Sequence, residues 1–196
     1  KPIEYVFSNG YDKILGETFG VQTGKLSDMK NFEDFYAAVL AQWSHLIELS
    51  IKVSTSYDPY LGTINPSNMY SATIQTALEK GADAYQNGVK FNNSALLNCG
   101  FATLVDSVMA VKEFVYDKKE ITLEELKTAL DSNWKGYEAL HAKVLNSVHK
   151  YGCNDAETNV YAEALASYFA MKVNNRPNGR GGVYKAIMHS ARMLTV

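Results

Sequence analysis

The sequence predicts an α/β chain that is predominantly helical, with one or two strands. Three observations predict it. Apolar residues recur at helical spacing in six separate stretches. Helix-start signals precede two of them, Asn31 with Asp34 three residues on and Thr122 with Glu125 three residues on. Only the last stretch, from Val183, has the β-branched and aromatic content of a strand.

Each element follows from local pattern. Residues 9–30 carry Gly10, Gly16, Gly20 and Gly24 and read as turns and irregular loop. Asn31 then caps a long helix with Phe32, Phe35, Tyr36, Val39, Leu40, Trp43, Leu46, Ile47 and Ile51 on its apolar side. Asp58-Pro59 and Asn65-Pro66 bracket a connecting loop. A second helix is predicted over 67–80, stopped by Gly81. A third starts near Gly100, with the stripe Phe101, Leu104, Val105, Val108, Val111 and Val115, and ends at the charged run 117–120. The capping box at Thr122 opens a fourth over 123–133. A fifth covers 137–148, with Leu140, Val144, Leu145 and Val148 on one side, and a sixth covers 155–173, with Val160, Tyr161, Ala164, Leu165, Tyr168 and Phe169 inward. Residues 174–182 are a loop, and the strand predicted from Val183 has no evident partner. The opening Lys1-Pro2 and the apolar close "MHSARMLTV" suggest a piece of a longer protein, with no domain boundary inside 1–196.

Composition narrows the function classes. The chain is 46% apolar and 20% charged with net charge −2, which lacks the basic excess of a nucleic-acid binder. No apolar run approaches the roughly 18 residues of a spanning helix, so no membrane segment is predicted. Cys99 and Cys153 are too far apart for a local zinc motif and read as free thiols of a cytoplasmic protein. His45, His141, His149 and His189 show no i, i+4 pairing, so no metal site is expected. Residues 178–182 (Asn-Gly-Arg-Gly-Gly) lack the frame of a phosphate loop and read as a flexible connection. Asp155, Glu157 and Glu163 read as an acidic first turn and a solvated face. Cys99 stands just before a helix start, where the dipole favours a thiolate, but Leu96, Leu97 and Phe101 surround it in sequence and no base is nearby, so a structural role is the better reading. The residues alone establish no chemistry.

An ordered series of segments resembles the glycyl radical enzymes, the pyruvate formate-lyase-like family that includes diol dehydratases. "SNGYDKILGETFGVQTGKLSDMKNFEDFYAAVLAQ" (8–42) is similar to its N-G-x-D, G-x-x-T-G and F-x-x-F series. "GADAYQNGVKFNNS" (81–94) resembles its G-G-A-x-Y-N loop, with Asp83 and the shifted Tyr85 as departures. "LVDSVMAVKEFVYDKKEITLEEL" (104–126) resembles its A-D-S-L-A-A-I-K-K helix and the capped helix after it. "KYGCNDAE" (150–157) is similar to Y-G-N-D-D with Cys153 inserted, and "GGVYKAIMHSAR" (181–192) to the segment entering the barrel.

The resemblance implies a partial section of a ten-stranded pyruvate formate-lyase-like α/β barrel. It implies a parent enzyme that cleaves a carbon–carbon, carbon–oxygen or carbon–nitrogen bond of a small metabolite, as a dehydratase, lyase or formate acetyltransferase. Its radical would sit on a glycine, installed by an S-adenosylmethionine iron–sulfur activase, with no cofactor bound to this piece and a homodimeric parent. The family's cysteine loop, G-C-x-E, and glycine loop, R-V-x-G-Y, do not occur here, so no catalytic residue is expected in this chain and the piece alone is expected to be inactive. Cys99 and Cys153 fall away from the thiyl position. Asp106 and Ser107 are expected to fix local hydrogen bonds. His189 and Ser190, with Phe91, Asn92 and Asn93, are the candidates for the substrate cavity. A degenerate homologue or helical interaction module without catalysis is the alternative, and an unrelated helical small-molecule binder is a third.

Overall fold

Asn31 opens the longest helix as the sequence predicts. Its side-chain oxygen accepts the Asp34 N–H at 2.9 Å, and Asp34 Oδ2 accepts the Asn31 N–H at 3.4 Å. The computed structural model describes residues 1–188. Nine α-helices are described: α1 (Pro2–Phe7), α2 (Phe32–Tyr57), α3 (Leu61–Ile64), α4 (Asn68–Ser71), α5 (Gln75–Lys80), α6 (Phe101–Val111), α7 (Leu123–Asp131), α8 (Glu138–Leu145) and α9 (Ala156–Val173). The strands are β1 (Tyr11–Asp12), β2 (Glu17–Thr18), β3 (Ser94–Asn98) and β4 (Tyr184–Met188). These elements divide into two compact units, Lys1–Leu46 with Gly100–Ala166, and Ile47–Cys99 with the chain from Ser167 onward.

The first unit has a core of Val6, Phe32, Phe35 and Val39 against Val108, Val111, Phe114, Ile121, Leu123 and Leu126. Phe32 sits at its aromatic centre, edge-on to Tyr116 and Tyr161 at ring separations of 6.0 and 5.4 Å. The glycine-rich loop is better ordered than its composition suggests. Tyr11–Thr18 closes as a short antiparallel hairpin. Gln42, fully buried on α2, accepts the Val21 N–H at 3.1 Å and donates to the Val21 carbonyl at 2.6 Å. Gly20 is required there, because a Cβ would lie 2.5 Å from Gln42 Oε1.

After α6 the helix widens into a π-turn, Lys112–Asp117. Thr122 then forms the predicted capping box with Glu125 and starts α7. Helix α8 is shorter than expected and buries none of its residues, and Leu145 and Val148 are exposed. On α9 Leu165 and Phe169 are buried as predicted and Val173 continues their stripe, whereas Val160 and Ala164, also predicted inward, face outward.

The second unit carries the parallel pair. β4 pairs with β3 in the register Ser94↔Tyr184 through Asn98↔Met188, so the strand that lacked a partner in the sequence has one 90 positions upstream. Residues 94–98 were missed because a strand this short, between asparagines and a helix, has too few residues to show alternation. The predicted second helix is two pieces, α4 and α5. Ile74 between them is extended (φ −110°, ψ 115°), and Thr73 Oγ1 bonds back to the Tyr70 carbonyl at 2.7 Å. Gly81 ends α5 in the left-handed conformation, φ 60°.

Candidate functional site

The second unit concentrates its buried polar groups at the amino ends of β3 and β4. Asp58, Asn92 and Asn178 are all buried there. Asn178 Nδ2 donates to the Asn92 carbonyl at 2.7 Å and to Ser94 Oγ at 2.9 Å. Asn178 Oδ1 accepts the Gly182 N–H at 2.7 Å and the Arg180 N–H at 3.1 Å. Asn92 Nδ2 donates to the Arg180 carbonyl at 2.6 Å. Ser94 Oγ accepts from Asn178 and from Arg180 Nη2 at 3.0 Å and donates to Asp58 Oδ2 at 3.2 Å, so its hydrogen-bonding capacity is full.

Charge is matched inside this network. Arg180 Nε lies 3.5 Å from Asp58 Oδ1, with both side chains about nine-tenths buried (11% and 8% exposed), and the guanidinium lies 5.7 Å from the Tyr85 ring centroid. Asp58 Oδ2 also accepts the Gly179 N–H at 3.3 Å. The approach is too close for side chains at two glycines. A Cβ on Gly182 would lie 2.0 Å from the Asn92 carbonyl oxygen, and one on Gly179 would lie 2.4 Å from the Thr55 carbonyl oxygen. The loop over 178–182 is therefore a tightly bonded clamp, where its glycines had suggested flexibility.

The adjoining loop is organised by Asp83. Its carboxylate accepts N–H groups of Tyr85 and Ser67 at 2.8 and 2.7 Å and the Ser71 hydroxyl at 3.2 Å. These bonds, the one from Tyr85 foremost, hold its pKa below the ordinary aspartate value. The departure at Asp83 thus has a local structural reason.

Of the five cavity candidates, the structure brings Asn92 and Asn93 together with Asn178 and Arg180. Asn93 Oδ1 accepts the Val183 N–H at 3.2 Å and its carbonyl accepts from Arg180 at 3.3 Å. Phe91 is 75% exposed, with the Lys90 ammonium 5.4 Å from its ring centroid. His189 and Ser190 lie outside the described residues. Cys99 and Cys153 are exposed free thiols, so Cys99 does not fill a core. Asp106 accepts the Tyr151 N–H at 2.7 Å and Ser107 donates to the Thr103 carbonyl at 2.7 Å, the local roles expected of them. Among the described residues no cluster of histidine, cysteine, aspartate and glutamate could hold a metal ion, and no helix is long and apolar enough to cross a membrane. Sequence reasoning missed Asp58, Asn178 and Arg180. The signal was an aspartate beside a proline and an arginine inside a glycine-rich loop, both of which read first as turn chemistry.

Comparison with known proteins sets this arrangement in context. Residues 1–195 match the model of the family described as pyruvate formate lyase-like. The chain belongs to that family. Within this pyruvate formate lyase-like family, the trans-4-hydroxy-L-proline dehydratase of Clostridioides difficile is 29% identical over 188 residues, covering 96% of this chain and 24% of the relative. The crystal structure of hydroxyproline dehydratase from Clostridioides difficile with trans-4-hydroxy-L-proline bound superimposes with a TM-score of 0.85 at 29% identity, over 95% of this chain and 24% of that one. A glycyl radical enzyme from Archaeoglobus fulgidus superimposes with a TM-score of 0.80 at 28% identity, over 95% and 23% of the two chains. The resemblance to glycyl radical enzymes is thereby established, and the fold is a section of the pyruvate formate lyase-like barrel. The chain spans about a quarter of the length of these relatives.

Proposed function

We propose that this chain is a structural section of a glycyl radical dehydratase or lyase that acts on a small metabolite. The observation that carries this reading is the match over nearly the whole chain, in sequence and in backbone geometry, to hydroxyproline dehydratase. The relative named above with an assigned substrate, found by both sequence and structure, is a dehydratase, which favours elimination chemistry over acetyl transfer to formate. The 196 residues contain neither G-C-x-E nor R-V-x-G-Y, so the isolated chain is inactive and both radical positions belong to other parts of a longer protein. All 196 residues belong to one larger domain of that protein. It is a cytoplasmic homodimer, and its glycyl radical is installed by an S-adenosylmethionine iron–sulfur activase.

The buried clamp gives the chain its part in that enzyme. Asn92 and Asn93 are tied to the Asn178–Val183 segment, so they position β4. His189 and Ser190, next in sequence after Met188, are substrate-cavity residues in this reading, together with Phe91, Asn92 and Asn93. The test is anaerobic electron paramagnetic resonance of the natural gene product after incubation with the activase, S-adenosylmethionine and a reductant. A glycyl radical signal that disappears when the glycine of a downstream R-V-x-G-Y is changed to alanine is the expected result. A natural gene product lacking both loops, or one that carries them and stays silent, overturns the radical reading and leaves a degenerate homologue.

A further inference from the structure

The segment between α8 and α9 is held by carboxylates on both sides. Ser147 donates to Glu113 Oε2 at 2.5 Å and accepts the His149 N–H at 3.1 Å. The Tyr151 N–H donates to Asp106 at 2.7 Å. The chain then turns through Gly152 and Asn154, both at positive φ (85° and 56°), and reaches Asp155. Asp155 caps α9. Its Oδ2 accepts the Thr158 N–H at 2.9 Å and the Thr158 hydroxyl at 2.7 Å. The same oxygen meets His149 Nδ1 at 3.0 Å. His149 thus closes the segment back onto the cap of the helix that follows, and the chain between the two residues forms a small ring.

We propose that His149 is a proton-controlled latch on the first turn of α9. As the imidazolium it pairs with Asp155 and pins the 149–155 ring shut. As the neutral imidazole it loses the charge, and the ring opens more often.

The charges around the latch support this direction. Asp155 faces the ring from its own segment, Glu113 from the π-turn, and Glu157 from α9. Lys112 and Lys118 are engaged with other carboxylates: Lys112 bridges Glu157 and Asp117 at 2.7 Å each, and Lys118 pairs with Glu113 at 2.6 Å. The hydrogen bond to Asp155 leads the effects that raise the pKa of His149 above its ordinary 6.5, with the charges of Asp155, Glu113 and Glu157 adding to it. The same pair, with Thr158, lowers Asp155 to about 2, so it stays ionised throughout the histidine range. Because the folded value lies above the unfolded one, the latch contributes fully below about pH 6.5 and is lost as pH rises through the folded value.

Hydrogen exchange of the full-length protein that contains this chain tests the latch. Exchange is read on peptides covering residues 147–160 from about pH 5.5 to 8.5 and corrected for intrinsic exchange at each pH, a window that brackets an ordinary histidine. The expected result is a several-fold fall in protection as pH rises, absent in His149→Gln, which keeps a neutral donor at the position. Asp155→Asn, which keeps a capping side chain, should also abolish the pH step. A wild-type protein with constant protection, or a His149→Gln protein with the same fall, overturns the proposal.

Discussion

Glu113 and Lys118 form an ion pair at 2.6 Å across five positions of chain, and their backbones are bonded over the same step, Lys118 N–H to the Glu113 carbonyl at 2.9 Å. Side chains five apart diverge on an α-helix, where neighbours are three or four apart. The π-turn brings them together, and it does the same for Lys112 and Asp117 at 2.7 Å. Two oppositely oriented pairs at this spacing support a backbone form that is otherwise rare.

Removing the buried member should therefore cost more than removing the exposed one. Glu113→Ala strands the Ser147 hydroxyl and the end of the π-turn, and is expected to lower stability by about 2 kcal/mol, read as a lower urea midpoint at neutral pH. Lys118, half exposed, should give a clearly smaller loss as Lys118→Ala. Burial pushes the Glu113 carboxyl up, but Lys118 and Ser147 outweigh it and hold the pKa below the ordinary value. Its contribution is thus present above the ordinary glutamate pKa and is lost as pH falls through the lower folded value. Equal losses for the two variants would mean that the turn does not depend on the carboxylate.

A second acid-sensitive contact ties the hairpin to α1. The Tyr5 hydroxyl donates to Asp12 Oδ2 at 2.6 Å, and Asp12 Oδ1 accepts the N–H groups of Ile14 and Leu15 at 2.8 and 3.0 Å. The Tyr5 bond foremost lowers Asp12 to about 2, while burial and then Asp12 raise Tyr5 to about 12. The stabilisation from Asp12 is complete above its ordinary value of 3.8 and fades as pH falls toward 2. Stability measured across that window should fall less steeply in Asp12→Asn than in the wild type. Superimposable curves would show that the hairpin contact carries no such linkage.

The Asn178 side chain makes four hydrogen bonds in the second unit, with Asn92, Ser94, Arg180 and Gly182. Asn178→Ala leaves the Gly182 N–H, the Arg180 N–H and the Asn92 carbonyl without this partner in a buried setting, at a cost of about 3 kcal/mol. Limited proteolysis should then cut first within 174–183, while fragments from the first unit persist. Gly182→Ala should be worse, because its Cβ has no room beside the Asn92 carbonyl. Wild-type protease resistance in either variant would dismiss the clamp.

The cap of α7 offers a milder perturbation. Thr122 Oγ1 accepts the Glu125 N–H at 3.2 Å, and Glu125 Oε2 accepts the Thr122 N–H at 2.9 Å. Thr122→Ala should cost about 1 kcal/mol and Thr122→Ser much less, measured by thermal or urea unfolding. Similar losses for both would assign the effect to the threonine methyl group.

What could be read from the sequence was what repeats locally. The caps at Asn31 and Thr122, the long stripe on α2 and the glycine stop at Gly81 are decided by residues within a few positions, and all are found where predicted. The pairing of β3 with β4 and the Asp58–Arg180 contact join residues far apart in sequence, and nothing local marks them. Glycine misled in one place for a physical reason. The same lack of a side chain permits flexibility and permits close approach, and at Gly179 and Gly182 it serves close approach. The resemblance to glycyl radical enzymes was legible because an ordered series of segments survives even where single motifs, such as the one at Asp83, have drifted.

The separation of β3 from β4 also sets an order of events during synthesis. Asn93 is made 90 residues before its partner Val183, so the ribosome completes α6, α7, α8 and α9 before β4 is there to pair with β3. Closing so long a loop carries an entropic cost that is met only when the second strand arrives, and such non-local pairings form late. For that interval the Ser94–Asn98 strand presents an open edge on the β4 side to any other nascent copy. A pause in synthesis before β4 has emerged from the ribosome would prolong the vulnerable state.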